Sequence, residues 1–282
     1  MGLTALVTGS NTGIGKAVAA ALAERGYRVF VACRSEAKGR MAVSELRERT
    51  RVEAVEFHAL DLASFAAVQS SAEDFLSKDI ALDVLVNNAG VAGQRGLTKD
   101  GFELAFGINH LGHFLLTSKL MPALQRAAHA RIVNVTSQNH YHPKRVDWEA
   151  LRRPTESVSG LKEYGVSKLA NVLFTAELAR RHEIEELTAY ASHPGRVASD
   201  IWRRIPWPIR PLFKRTMLTV EQGAHSTVHC ATAPELQRET GRYYHSDGKP
   251  KEPNPLAKDA NLAKELWRRS VEWCGLEESS PS

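Results

Sequence analysis

Tyr164 and Lys168 stand four residues apart, so on a helix both side chains project from one face. A phenol ordinarily titrates near pH 10, about three units above neutrality. An ammonium beside it favours the phenolate and brings the group within reach of proton transfer at physiological pH. A tyrosine and a lysine at helical spacing also occur on ordinary surfaces, so the pair gains meaning only from its surroundings. Ser137 follows the strand-like run Arg131–Val135 (RIVNV) and offers a hydroxyl to a carbonyl or alkoxide oxygen. A turn or helix-capping serine is the alternative. Asn109 lies within a long helical region, Gly101–Gln125, where a polar side chain otherwise satisfies a local backbone group.

A second group of residues is suited to phosphate. Gly9, Gly13 and Gly15 fall between the apolar run Leu3–Val7 and an Ala-rich run, Lys16–Arg25. Glycines at such a strand-to-helix turn let a pyrophosphate approach backbone amides and the positive end of a helix. The spacing G-xxx-G-x-G differs from the commoner G-x-G-x-x-G. A tight turn without a ligand is the alternative, but a preceding strand and a following helix favour the binding reading. The next strand, Arg28–Cys33, ends on Cys33 and is followed by Arg34. NAD-binding sheets commonly carry an acid at that point for the ribose 2′-hydroxyl. A carboxylate would repel a 2′-phosphate, whereas an arginine attracts it by charge and forked hydrogen bonds. The pattern therefore favours NADP(H).

The elements that must position these groups alternate along the chain. Strands are expected at Leu3–Val7, Arg28–Cys33, Glu53–Ala59, Leu82–Val86, Arg131–Val135 and Ala189–Ser192. Helices are expected at Lys16–Arg25 (closed by Gly26), Glu36–Arg49, Asp61–Lys78 (opened by Ser64), Gly101–Gln125 and Ser157–His182. Strands alternating with helices of ten or more residues predict an α/β fold, a Rossmann-type doubly wound parallel sheet covered on both faces. One NAD(P)-binding domain over residues 1–282 fits the length. Two stretches break the rhythm. His140–Gly160 is polar with two prolines, and 200–218 carries three prolines, Trp202, Trp207 and five basic residues. Long irregular loops in compact domains are usually lids or binding loops. The tail 277–282 is expected to fray.

Together the motifs resemble one family, the short-chain dehydrogenases/reductases. The residues that carry the resemblance are Thr8-Gly9-Ser10-Asn11-Thr12-Gly13-Ile14-Gly15, Asp61-Leu62, Asn87-Asn88-Ala89-Gly90, Asn109, Ser137, Tyr164-Gly165-Val166-Ser167-Lys168 and Pro194-Gly195. They occur in the family's order and span residues 3 to about 200. Within it, NHLGHFLLT (Asn109–Thr117), KLANVLFTAELARR (Lys168–Arg181), ASHPGRVASDIWR (Ala191–Arg203), ACRS (Ala32–Ser35) and GRYYHSDGKP (Gly241–Pro250) look like the retinol dehydrogenase branch. That branch usually prefers NADP(H) and handles retinoids or other lipophilic carbonyls.

The resemblance implies roles by position. Tyr164 would give or take the proton. Lys168 would bind the nicotinamide ribose and depress the Tyr164 pKa. Ser137 would orient the substrate oxygen, and Asn109 would hold a water in the proton relay. The turn from Gly9 through Ser10, Asn11, Thr12, Gly13 and Ile14 to Gly15 would meet the pyrophosphate. Asp61 and Leu62 would meet the adenine end, and Asn88, Ala89 and Gly90 the adenosine side. Pro194, Gly195 and Val197 would position the nicotinamide, with Ser199 standing where many relatives have Thr. Trp202 and Trp207 would cover an apolar substrate pocket. Ser137 and Tyr164 are 164 − 137 = 27 apart, a spacing lengthened by the 140–160 segment, which the retinoid-type branch shares. Many retinol dehydrogenases carry an N-terminal apolar anchor; this sequence opens directly on the first strand, which fits either a relative without the anchor or a chain that begins after it.

Composition sets the frame. The 282 residues carry a net charge of +5 and 43% hydrophobic residues, a globular composition rather than a disordered one. So mild an excess of base calls for no nucleic-acid partner. No run reaches the roughly 18–20 apolar residues of a membrane span, and the start has no signal-peptide layout. Met1-Gly2 opens like a myristoylation site, but Leu6 stands where Ser or Thr is required. Cys33, Cys230 and Cys274 form no metal or redox motif, and an odd count suits a reducing compartment. A cytoplasmic enzyme without a metal is the expectation, since the pairs His110/His113 and His140/His142 lack a third ligand. The basic residues of 200–218 would either touch anionic lipid or line a solvated lid surface. The second is preferred, because prolines interrupt an amphipathic helix. The helices at 101–125 and 157–182 would pair subunits into a homodimer or homotetramer, or simply cover the sheet. The functional expectation is an NADP(H)-dependent oxidoreductase of lipophilic carbonyls and alcohols. A non-catalytic nucleotide sensor and a transient-hydride isomerase or dehydratase are the competing classes.

Overall fold

The computed structural model describes residues 2–197 and 218–277. Seven parallel strands form one sheet in the order β3-β2-β1-β4-β5-β6-β7. They are β1 (Thr4–Thr8), β2 (Arg28–Cys33), β3 (Val55–Ala59), β4 (Val84–Asn87), β5 (Ala130–Val135), β6 (Leu187–Ser192) and β7 (Arg242–Tyr244). The helices between them are α1 (Gly13–Ala23), α2 (Glu36–Thr50), α3 (Phe65–Leu76), α4 (Leu104–Phe106), α5 (Gly112–Leu124), α6 (Leu161–Arg181), α7 (Val220–Thr232) and α8 (Ala260–Trp273). Strand order reverses between β1 and β4. That is where a doubly wound sheet opens a crevice at its carboxyl edge.

Alternation within each strand builds two cores. Leu6, Leu85 and Ile132 point to one face, where they meet Phe114, Leu173 and Phe174. Val7, Val86 and Val133 point to the other, among Val18, Leu22 and Tyr190. Strands apolar on both sides are what a sheet covered on both faces requires. Several polar groups inside it are paired across elements. Asn87 Nδ2 donates to Asn134 Oδ1 at 2.8 Å and to Thr117 Oγ1 at 3.1 Å. The buried Arg131 donates to the carbonyls of Ala233 and Cys230 at the end of α7, satisfying acceptors that a helix C-terminus leaves open.

The element boundaries depart from the sequence expectations for local reasons. Helix α1 starts at Gly13, inside the glycine turn. Helix α3 starts after Ser64 as expected, but the Ser64 side chain makes no cap bond. Asp100 Oδ2, distant in sequence, accepts the Phe65 N–H instead. The single helix expected over 101–125 is three pieces. Glu103 caps α4 by accepting the Phe106 N–H, a π-helical turn spans Gly107–Leu111, and α5 follows. Beyond Ser192, helices α7 and α8 and strand β7 are additional to the expected elements. A capping box formed by Thr219 and Gln222 opens α7.

Helix α8 packs across α5 and α6. The Trp267 ring lies edge-on to Phe114, with centroids 5.0 Å apart, and the Arg181 guanidinium sits 4.4 Å over it. His110 Nε2 and Ser270 Oγ are 3.0 Å apart, joining the π turn to α8. Helices α5 and α6 thus cover the sheet and are themselves partly covered. Trp202, Trp207, Ser199 and all of the expected lid 200–218 except Leu218 lie outside the described residues, as does the tail beyond Glu277.

Candidate active site

The carboxyl edge of β1, β2, β4, β5 and β6 opens into a cleft of about 450 Å³. At one end the β1–α1 turn lines it with Gly9, Asn11, Thr12, Gly13, Ile14 and Gly15. Three of these positions demand glycine: Gly9 has φ +65° and a Cβ there would lie 2.8 Å from Ala89 Cα. Gly13 has φ +57° and a Cβ there would meet no protein atom within 4 Å, so the turn presents bare backbone to the cleft. A Cβ on Gly15 would lie 2.7 Å from the Gly9 carbonyl oxygen and 2.4 Å from Asn88 Nδ2, so the helix could not start so close to the turn. The first-turn amides of α1 have no acceptor within the helix, and an anion is the natural partner for such a group. Ser10 does not line the cleft. It is fully buried, and its hydroxyl donates to the Val7 carbonyl at 2.6 Å.

Arg34 is exposed at the end of β2 and lines the same cleft beside Asp61 and Leu62. It makes no ion pair among the described residues. Asn88, Ala89 and Gly90 form the wall that follows β4. They are held by Thr8, whose Oγ1 accepts the N–H groups of Asn88 and Ala89, both at 2.9 Å.

At the other end lie the groups suited to proton transfer. Tyr164 and Lys168 sit one turn apart on α6, both buried, and both line the cleft. Lys168 Nζ donates to the Val135 carbonyl at 2.9 Å, and Thr136 Oγ1 donates to the Lys168 carbonyl at 2.9 Å. Strand β5 therefore clamps the helix that carries the pair. Ser137 follows directly; its hydroxyl acts on the Tyr164 phenol to favour ionisation, from a position outside the cleft lining. Its own carbonyl is held by His140, whose Nδ1 lies 2.7 Å away. Asn109 lies behind the cleft rather than in its lining. Its Oδ1 accepts the Val91 N–H at 2.8 Å, and its Nδ2 donates to the Val91 carbonyl and to Ser167 Oγ. The residue sits in the π turn, a distortion frequent at functional sites.

Desolvation is the larger influence on the Tyr164 phenol. Burial pushes the phenol above its ordinary value, and the Ser137 hydroxyl acts against it. Lys168 Nζ lies 5.7 Å from the Tyr164 ring centroid, and burial brings its own pKa down to about 7. Desolvation disfavours the charged form of each group, so the phenol stays neutral. A neutral phenol is the form that can give a proton.

Pro194 lines the cleft after β6. Gly195 and Val197 pack behind it: a Cβ on Gly195 would lie 2.6 Å from Leu218 Cδ1, and Val197 is buried against Gly223. Val91, Gln94, Leu104, Ile108, Val135 and Thr136 line the cleft without having been singled out from sequence. Val91, Leu104, Ile108 and Val135 contribute apolar surface, which has no motif. Among the described residues no cluster of three His, Cys, Asp or Glu is placed to hold a metal. None of their helices is long and apolar enough to cross a membrane.

Comparisons with known proteins agree with this architecture. The family model described as short chain dehydrogenase matches residues 3–147. Retinol dehydrogenase 12 of Mus musculus is 42% identical, over 98% of this chain and 87% of its own. Dehydrogenase/reductase SDR family member 13 of Homo sapiens is 41% identical, over 98% of this chain and 74% of its own. Among solved structures, a 3-ketoacyl-(acyl-carrier-protein) reductase from Brucella melitensis complexed with NADH superposes with a TM-score of 0.69. It is 23% identical, and the match covers 87% of this chain and 97% of that one.

Proposed function

The chain belongs to the short-chain dehydrogenase/reductase family, and from that premise we propose that it interconverts a lipophilic carbonyl and its alcohol with NADP(H). The observation that carries the reading is the pair Tyr164 and Lys168 at one end of a cleft whose other end is a glycine cradle, with Ser137 acting on the Tyr164 phenol from beside the lining. A dinucleotide fits that cradle because the β1–α1 turn offers amides and no side chain at Gly13 and Gly15. The cofactor supplies the hydride. The protein binds, orients and moves a proton.

The residues divide that work. The turn at Gly9–Gly15 takes the pyrophosphate. Arg34, exposed at the adenosine end, takes a 2′-phosphate by charge and forked hydrogen bonds. Lys168 reaches the ribose beside the nicotinamide, and an anionic cofactor there favours its ammonium form. Ser137 donates to the substrate oxygen. Tyr164, kept neutral by burial, gives its proton to that oxygen as charge develops on it. In the oxidative direction the same phenolic oxygen takes the proton back. Asn109 braces the Val91 backbone and Ser167 at the centre of this arrangement.

A lipophilic substrate is supported by two lines. The chain is similar to a retinol dehydrogenase along nearly its whole length, and Val91, Leu104 and Ile108 give the cleft apolar walls. The test is nicotinamide absorbance with all-trans-retinal, a medium-chain aldehyde, a steroid ketone and a quinone, using NADPH and then NADH. Turnover of one class with NADPH is expected. Tyr164→Phe is expected to lower kcat at least about a hundredfold while NADPH still binds. Retained turnover in that variant would remove Tyr164 from the proton-transfer role.

A further inference from the structure

His113 is buried at the start of α5, and nothing in the reaction described above uses it. Its two ring nitrogens face two different parts of the site. Nδ1 lies 3.0 Å from the backbone carbonyl of Asn109. Nε2 lies 2.8 Å from Thr8 Oγ1. Only one protonation pattern satisfies every partner. The Asn109 carbonyl only accepts, so Nδ1 must carry the hydrogen. Thr8 Oγ1 already accepts from the amides of Asn88 and Ala89, so its own hydrogen must point to an acceptor. The lone pair on Nε2 is nearer than the alternative Val86 carbonyl, which is 3.3 Å away. An imidazolium would turn a second N–H toward an oxygen with no lone pair left to receive it.

We propose that His113 is a positioning residue, whose neutral imidazole fixes the nucleotide-side turn and the catalytic-side turn relative to each other. Through Thr8 it sets the Asn88–Ala89 wall of the cleft. Through the Asn109 carbonyl it holds the π turn, from which Asn109 braces Val91 and Ser167. Burial, with the Lys168 charge adding to it, brings the His113 pKa down to about 3. The other titratable group on that helical turn is His110, also held near 3 by burial. The ring therefore keeps its donor-acceptor polarity across the working pH range.

This inference rests on the oxidoreductase reading, and the experiment separates the two. Three variants of the full chain are compared with wild type: His113→Phe, His113→Asn and His113→Gln. The readouts are NADPH affinity by titration, then kcat and KM with the best substrate of the panel, then melting temperature. Phe removes both contacts and is expected to lower kcat about ten- to a hundredfold, the scale of a small misplacement, and to weaken NADPH about tenfold. Asn keeps a donor at the Nδ1 position and is expected to restore kcat more than NADPH affinity. Gln reaches the Thr8 hydroxyl and is expected to restore affinity more than kcat. A purely structural histidine would give no such split. Phe matching wild type in both constants would overturn the proposal, as would three variants whose losses simply follow their melting temperatures. If wild type reduces none of the panel, the reading of the reaction fails, and NADPH affinity alone decides: an unchanged value in His113→Phe overturns the proposal, and a selective rescue by Gln sustains its nucleotide half.

Discussion

At the scale of single residues, desolvation outweighs pairwise attraction at this site. Tyr164 is raised and Lys168 lowered, although an isolated tyrosine–lysine pair would shift the phenol the other way. Three buried histidines extend the same effect to stability: His110, His113 and His193 are each held near a pKa of 3. Their folded values lie below the ordinary 6.5, so the unfolded chain binds more protons between about pH 6.5 and 3. Stability is therefore full above pH 6.5 and falls as the pH drops through that window. Between pH 6.5 and 5 each histidine contributes a loss of up to about 2 kcal/mol. Thermal unfolding at pH 7, 6 and 5 checks this, and a flat profile would contradict it. Arg34 carries a separate prediction. Arg34→Asp is expected to shift the ratio of kcat/KM from NADPH toward NADH by at least about tenfold, measured with one carbonyl substrate. An unchanged ratio would place 2′-phosphate recognition elsewhere.

At the scale of elements, the decisive contacts join a strand end to a helix. The Val135 carbonyl, at the end of β5, accepts both Lys168 Nζ and Asn171 Nδ2 from α6. The β1–α1 turn is equally constrained, because Gly15 leaves no room for a Cβ against the Gly9 carbonyl. Asn88 could swing aside, but a backbone oxygen cannot. Gly15→Ala is expected to cost about 1–3 kcal/mol of stability, the usual range for overpacking. It should also weaken NADPH binding more than it changes KM for the carbonyl substrate. Calorimetric titration and a melting curve measure the two effects. The helices legible in the sequence are those whose apolar pattern is local. The π turn at Gly107–Leu111 carries no such pattern, and the cap of α3 comes from Asp100, far from Ser64 in sequence.

At the scale of the whole molecule, α8 closes the outer surface of α5 and α6. Phe114 is the hub of that contact, fully buried and in ring contact with His110, Phe174 and Trp267. Phe114→Ala would leave a cavity between α5, α6 and α8 and is expected to destabilise by about 3–5 kcal/mol. Because Phe114 lines no part of the cleft, NADPH affinity at low temperature should change less than about threefold. Denaturant unfolding and a nucleotide titration test the two halves. The cleft opens at the carboxyl edge of the sheet, where strand order reverses and two crossovers diverge.

What the sequence determined by itself is whatever short-range geometry enforces. Four-residue spacing puts Tyr164 and Lys168 on one helix face. Glycines at 9, 13 and 15 permit a turn that other residues would block. The alternation of apolar strands with helices dictates a parallel sheet covered on both sides. The ordered set of motifs was enough to resemble the family to which the chain belongs. Only the tertiary structure decided which carbonyl restrains Lys168, that Ser10 turns inward, and that His113 joins Thr8 to Asn109. The reason is physical. Every residue has a backbone carbonyl, so no residue type marks the one that will be used. Desolvation and hydrogen-bond partnership depend on what the folded chain brings alongside from far away in sequence.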